Sequence, residues 1–142
     1  MTRIEFFFNV GNKLDKVAEL SQRAVSKGRR MMVFGPDEAV LSELERVLWS
    51  GSALSFVPHC RAQHPLAPET PIVLDFKGEP LIHDDVLINL QHQHPPFFSR
   101  FRRLIEIVGQ DEADKAQARV RYRFYRDRGY EIRTFDENGA AL

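Results

Sequence analysis

Three observations in the sequence predict an α/β fold, built as one three-layer domain around a mostly parallel sheet flanked by helices. Residues 3 to 48 alternate strand, helix, strand and helix, the order that produces parallel strands with right-handed crossovers. A further strand–helix–strand run over residues 104 to 135 repeats that grammar near the C-terminus. The composition, 142 residues with 43% hydrophobic and 28% charged side chains, suits one ordinary globular domain with a substantial core. Residues 1–135 are expected to form that domain and 136–142 a flexible tail.

Each element has its own local reason. Arg3 to Asn9 is rich in aromatics and ends in the turn Asn9-Val-Gly11-Asn12, which reads as a buried strand. Leu14, Val17, Ala18, Ser21, Ala24 and Val25 then fall on one side of a helix that Gly28 ends. Arg30 to Phe34 is the next strand. Asp37 caps a second helix whose apolar stripe is Val40, Leu41, Leu44, Val47 and Leu48. Ser55 to Pro58 reads as a short strand and Arg61 to Pro71 as a connection containing proline. Pro71 to Phe76, Val86 to Leu90 and Leu104 to Val108 supply three more strands, and Tyr130 to Phe135 closes the sheet. No internal repeat or low-complexity segment is present.

The residues exclude several classes of function. Asn9-Val-Gly11-Asn12-Lys13 has one glycine where a dinucleotide loop needs three, and no phosphate-binding G-x-x-x-x-G-K-S/T occurs, so the scaffold is Rossmann-like without a nucleotide site. His59, Cys60 and His64, with His92 and His94, have metal-ligand chemistry, but no second cysteine pair completes a recognisable spacing; no metal or other cofactor is expected. Cys60 beside His59 does not make a nucleophile and base, because adjacent side chains rarely meet. Asp84-Asp85 and Glu43 with Glu45 read as solvated charges, which leaves no catalytic constellation. One cysteine precludes an internal disulfide, and the short apolar run at the N-terminus is below membrane-spanning length, so a cytoplasmic protein without a membrane partner is expected.

The charge is zero overall but unevenly spread. Residues 97–133 carry ten Lys and Arg against six Asp and Glu, and the rest carry ten against fourteen. Most of that excess lies between Asp111-Glu112, acids suited to a helix N-terminus, and Gly129, placed to end the helix. Lys115, Arg119, Tyr122 and Arg123 follow i, i+4, i+7, i+8 spacing and share one face. Guanidinium donors beside an aromatic ring suit an acidic, partly apolar partner, either a peptide or a nucleic acid. The plainer alternative is an amphipathic helix whose arginines only solvate its outer side.

Two blocks carry a resemblance. Leu48-Trp49-Ser50-Gly51-Ser52-Ala53-Leu54-Ser55-Phe56-Val57-Pro58-His59, followed by Arg119-Val-Arg-Tyr122-Arg123-Phe-Tyr125-Arg126-Asp-Arg-Gly129-Tyr130, resemble the chi-subunit family of the bacterial DNA polymerase III holoenzyme. The aromatic first strand, Leu87 to Leu90 and Phe97 to Val108 fall where that family has similar elements, so the likeness spans almost the whole chain. Arg61 to Pro68 and Gln91 to Pro96 have no counterpart in the pattern.

The resemblance implies a mixed, mostly parallel sheet and an adaptor with no catalytic site of its own, serving a DNA-directed DNA polymerase complex. Its implied partners are the psi subunit of the clamp loader and the acidic C-terminal tail of single-stranded-DNA-binding protein, with DNA reached indirectly on the lagging-strand template. A monomer by itself and a heterodimer with psi are implied. Carried over to this chain, the tail falls on Arg119 and Arg123 as donors, Lys115 at the rim, and Tyr122 with Val108 as the apolar wall. The psi contact falls on Trp49 and Phe56. From the residues alone, Trp49 is either an exposed anchor or a cover for the core beneath the second helix; the resemblance favours the anchor. Two other readings compete: direct single-stranded nucleic-acid binding by helix 111–128, and a small nucleotide- or metal-dependent enzyme.

Overall fold

The computed structural model describes residues 1–50 and 57–142. Seven strands form one sheet: β1 (Arg3–Phe7), β2 (Met31–Phe34), β3 (His59–Arg61), β4 (Ile72–Asp75), β5 (Val86–Asn89), β6 (Arg103–Ile107) and β7 (Ile132–Phe135). Their spatial order is β3-β4-β2-β5-β6-β1-β7, and every pairing between named strands is parallel. The sheet expected to be mixed is thus parallel throughout its ladders, with one antiparallel bridge, Phe135 to Ala141, beyond its edge.

Among the described residues three α-helices cover the sheet: α1 (Lys13–Ser26), α2 (Glu38–Trp49) and α3 (Glu112–Asp127). Asp37 caps α2 as the sequence predicts, Asp111 opens α3, and Asn12, read as part of a turn, caps α1. Asn12, Asp37 and Asp111 accept from the backbone N–H three residues on, which satisfies donors that a helix start leaves free. Val17, Leu20 and Ala24 of α1 and Leu41, Leu44 and Leu48 of α2 pack on Met31, Val33, Ile72, Leu74, Ile88 and Ile105. On the opposite face Ala118 and Tyr125 of α3 pack with Ile4, Phe6, Leu87 and Leu104. The α/β architecture with helices on both faces is therefore present. Both faces being covered explains why β2 and the first three residues of β4 and β5 are apolar without alternation.

Two local expectations change. Of the short strand placed at Ser55 to Pro58, Val57 and Pro58 lie outside any strand, and the strand that pairs with Ile72 to Leu74 is His59–Arg61. Ser55 and Phe56 lie outside the described residues, and Pro58 has no N–H to give a ladder. Residues 136–142, read as a flexible tail, turn back along β7: Asp136 N–H donates to Ala140 at 2.9 Å and Leu142 N–H to Thr134 at 3.0 Å. Glu137 adds a backbone carbonyl that accepts from the buried Lys16 ammonium at 2.9 Å.

Candidate docking groove on α3

The helix α3 sits over β6 and β1 because one buried polar cluster holds it there. Glu106 of β6 is fully buried and faces α3. It accepts from Arg121 Nε at 3.0 Å, from Tyr125 O–H at 2.6 Å and from Asn89 Nδ2 at 3.0 and 3.2 Å. Burial pushes the Glu106 carboxyl up, against the neighbouring Arg121 guanidinium and the donors from Tyr125, Asn89 and Arg121. All three neighbours donate into the carboxyl oxygens, so the geometry is that of a carboxylate. Burial and the adjacent Glu106 charge likewise push the Tyr125 hydroxyl above its ordinary range. Arg121 also donates from Nη1 to the His92 carbonyl at 2.9 Å, and Asn89 to the Gln93 carbonyl at 3.1 Å, tying the 91–97 loop to the helix.

With Ala118, Arg121 and Tyr125 turned inward, helical geometry turns Arg119, Tyr122 and Arg123 toward the flank and the solvent. These three residues, Ala118 and Phe8 line one groove of about 310 Å3. Tyr122 leans on Phe6, ring centroids 5.4 Å apart, and Phe6 stacks on Phe8 at 5.6 Å, so the wall is a continuous aromatic run. Arg119 and Arg123 are exposed and have no ion-pair partner among the described residues. The groove therefore offers two guanidinium forks above apolar rings.

Not every residue assigned to this face by sequence joins it. Val108 is wholly buried in the core layer beneath α3 and lines no part of the groove. Lys115 stands one helical turn away, 3.9 Å from Glu112 Oε1. Phe8 went unrecognised, although alternation along Phe6-Phe7-Phe8 places Phe6 and Phe8 on one face. Arg121 is not distinguished by helical spacing from the other arginines of α3. The signal for it was Glu106, a carboxylate inside a strand with both faces covered, which needs a buried cation.

A second exposed feature ends α2. Trp49 is 66% exposed, and its ring meets the His59 ring edge-on at 5.7 Å. Beside it Arg61 of β3 donates to both Glu38 and Glu45 of α2. The Arg61 hydrogen bonds hold the Glu38 carboxyl down to about 2. Phe56, paired with Trp49 in the sequence reading, lies outside the described residues.

Where β1 and β6 lie side by side, α1 and α3 leave toward opposite faces, which is the usual place for a nucleotide in such sheets. Here the Asp114 carboxylate accepts the Gly109 N–H at 2.6 Å and the Lys13 ammonium at 3.2 Å. Burial works against that charge, but the Gly109 N–H and Lys13 together hold the Asp114 carboxyl below its usual range. A side chain of the protein itself thus takes the donors that a phosphate would use. Among the described residues no three His, Cys, Asp or Glu side chains gather around a metal-sized space. None of the helices among them is long and apolar enough to cross a membrane.

Comparison with known proteins agrees in one direction. The family described as "DNA polymerase III chi subunit, HolC" matches residues 1–133. The DNA polymerase III subunit chi of Pseudomonas aeruginosa is 34% identical over 136 residues, covering 93% of this chain and 94% of that protein. Its counterpart from Haemophilus influenzae is 34% identical over 108 residues, 75% of each chain. That of Escherichia coli is 28% identical over 119 residues, 83% of this chain and 81% of its own.

Proposed function

The chain belongs to the DNA polymerase III chi-subunit family, an accessory role in DNA replication, and from that premise we propose that it is an adaptor with two docking surfaces. One surface is the α3 groove, which receives the acidic C-terminal tail of single-stranded-DNA-binding protein. The other surrounds Trp49 and receives the psi subunit of the clamp loader. The protein then tethers the polymerase assembly to coated template without touching a substrate itself.

The observation that carries this reading is the pair Arg119 and Arg123, unpaired beside the rings of Tyr122 and Phe8. A peptide ending in an apolar residue with a free carboxylate matches that arrangement: the side chain lies on the rings and the carboxylates meet the guanidiniums. Each charge-assisted contact contributes about 1.5–3 kcal/mol. Ordering the tail offsets much of the sum, which leaves modest affinity for one tail and gain through avidity where several are presented.

Titration with a labelled acidic tail peptide tests the assignment. Arg119→Ala is expected to weaken binding about tenfold or more, the equivalent of at least one lost contact, with the unfolding midpoint unchanged. Single-stranded DNA alone is the control. Strong DNA binding without peptide binding would move the arginines onto phosphates and overturn the proposal.

A further inference from the structure

On the face of the sheet away from α3, at the N-terminal ends of the strands, lies a second and more enclosed cleft. Met31, Val86, Arg103 and Arg3 are the first residues of β2, β5, β6 and β1, and the register aligns them in one row across four neighbouring strands. The C-terminal part of α1 and the turn after it close over that row around a space of about 280 Å3. Arg3, Arg23, Lys27, Arg29 and Arg103 line it, above a buried floor that includes Met31, Val86 and Ile105.

The charges here are not self-contained. Arg3 and Arg103 are register neighbours, and like charges side by side on adjacent strands destabilise a sheet. A single carboxylate serves both: Glu5 Oε2 lies 3.2 Å from Arg3 Nε, and Glu5 Oε1 2.6 Å from Arg103 Nη2. Arg23 has Glu19 at 2.9 Å. Arg29 is 3.6 Å from Asp85, too far for a hydrogen bond. The Lys27 ammonium has no acceptor among the described residues. A helix C-terminus favours cations, which accounts for Arg23 and Lys27. It does not account for Arg3 beside Arg103, nor for an enclosed space between them and the helix.

We propose that this cleft binds a phosphate ester of nucleotide size. Arginine forks match phosphate oxygens in pairs, and the lysine adds a mobile point charge. The apolar floor accepts the uncharged part of the ligand, and the volume of about 280 Å3 lies just below the roughly 300–1,000 Å3 typical of ligand sites, which suits a small ligand. Two sources carry this chemistry, a free nucleotide and the terminal phosphate of a DNA strand. The site is at the opposite end of the strands from the place where such sheets usually bind nucleotides, and across the sheet from α3, so it does not rest on the adaptor reading.

Calorimetric titration at fixed ionic strength with inorganic pyrophosphate, thymidine monophosphate, and a short oligothymidylate with or without a 5′-phosphate tests it. Saturable binding is expected for pyrophosphate, weakened about tenfold or more in Lys27→Glu by loss of a charge-assisted contact and unchanged in Arg119→Ala. Arg29→Ala, also at an exposed position, should act in the same direction. Tighter binding of the monophosphate than of the oligomer assigns a free nucleotide; a gain that requires the 5′-phosphate assigns a strand end. Absence of saturable binding, or an equal loss in Arg119→Ala, overturns the proposal, because the latter would reflect the general field of the protein rather than a site.

Discussion

Val120 and Arg121 exchange the positions that their side chains usually take: the valine is 59% exposed and the arginine 3%. The inversion follows from Glu106. A carboxylate in the middle of β6 cannot reach water, so α3 is rotated until Arg121 and Tyr125 meet it, and Val120 is carried outward. The same rotation sets the azimuth of Arg119, Tyr122 and Arg123, so the buried cluster acts as a positioning device for the groove. Tyr125→Phe should test its strength. Removing that O–H leaves a buried carboxylate short of a donor, at a cost of about 1–3 kcal/mol in urea unfolding. No change in stability would mean that the phenol is dispensable and that packing alone orients the helix. The groove residues on α3 were legible in the sequence because helical spacing places Arg119, Tyr122 and Arg123 together whatever the rotation. Val108 lines no part of the groove because whether the residue after a strand is covered depends on the helix above it, which no local pattern records.

At the scale of elements, capping and periodicity made the helices legible. Asn12, Asp37, Asp111 and the glycines at 28 and 129, both with positive φ, mark ends that the structure keeps close to where the sequence puts them. The edge strand β3 was not legible at its true place. It has three residues, intermediate burial and no period to read, and its existence depends on pairing with β4. The turn-back of 136–142 depends likewise on β7 being there to pair with. The start of α3 carries its own prediction. Asp114 is the only acceptor for the Gly109 N–H among the described residues, and Gly109 is buried. Asp114→Ala should therefore cost about 1–3 kcal/mol, while Asp114→Asn, which keeps an acceptor oxygen, should cost less. Because the folded state holds this carboxyl below its ordinary range, its contribution is complete above the unfolded pKa and fades as pH falls through the lower folded value. The difference between wild type and Asp114→Ala should shrink in acid. A gap that persisted unchanged would locate the effect in packing instead.

For the whole molecule, the sheet separates its surfaces. The α3 groove lies on one face, and Trp49 ends a helix that packs on the other. A central layer of buried strands stands between them. On the adaptor reading proposed above, two partners can then be held at once without competition. Fold class and the basic helix were readable from the chain because they rest on local periodicity and charge. Which side of the sheet each surface faces was not, since it follows from the order β3-β4-β2-β5-β6-β1-β7, a property of pairing across the whole chain.

The most direct test is a simultaneous-binding measurement. The protein is captured on immobilised psi, and the labelled acidic tail peptide is titrated onto the captured complex and onto the free protein. The account predicts equal peptide affinity in both states, loss of the peptide alone in Arg119→Ala, and loss of capture alone in Trp49→Ala. Mutual exclusion of the two partners, or damage to both by either substitution, would contradict it.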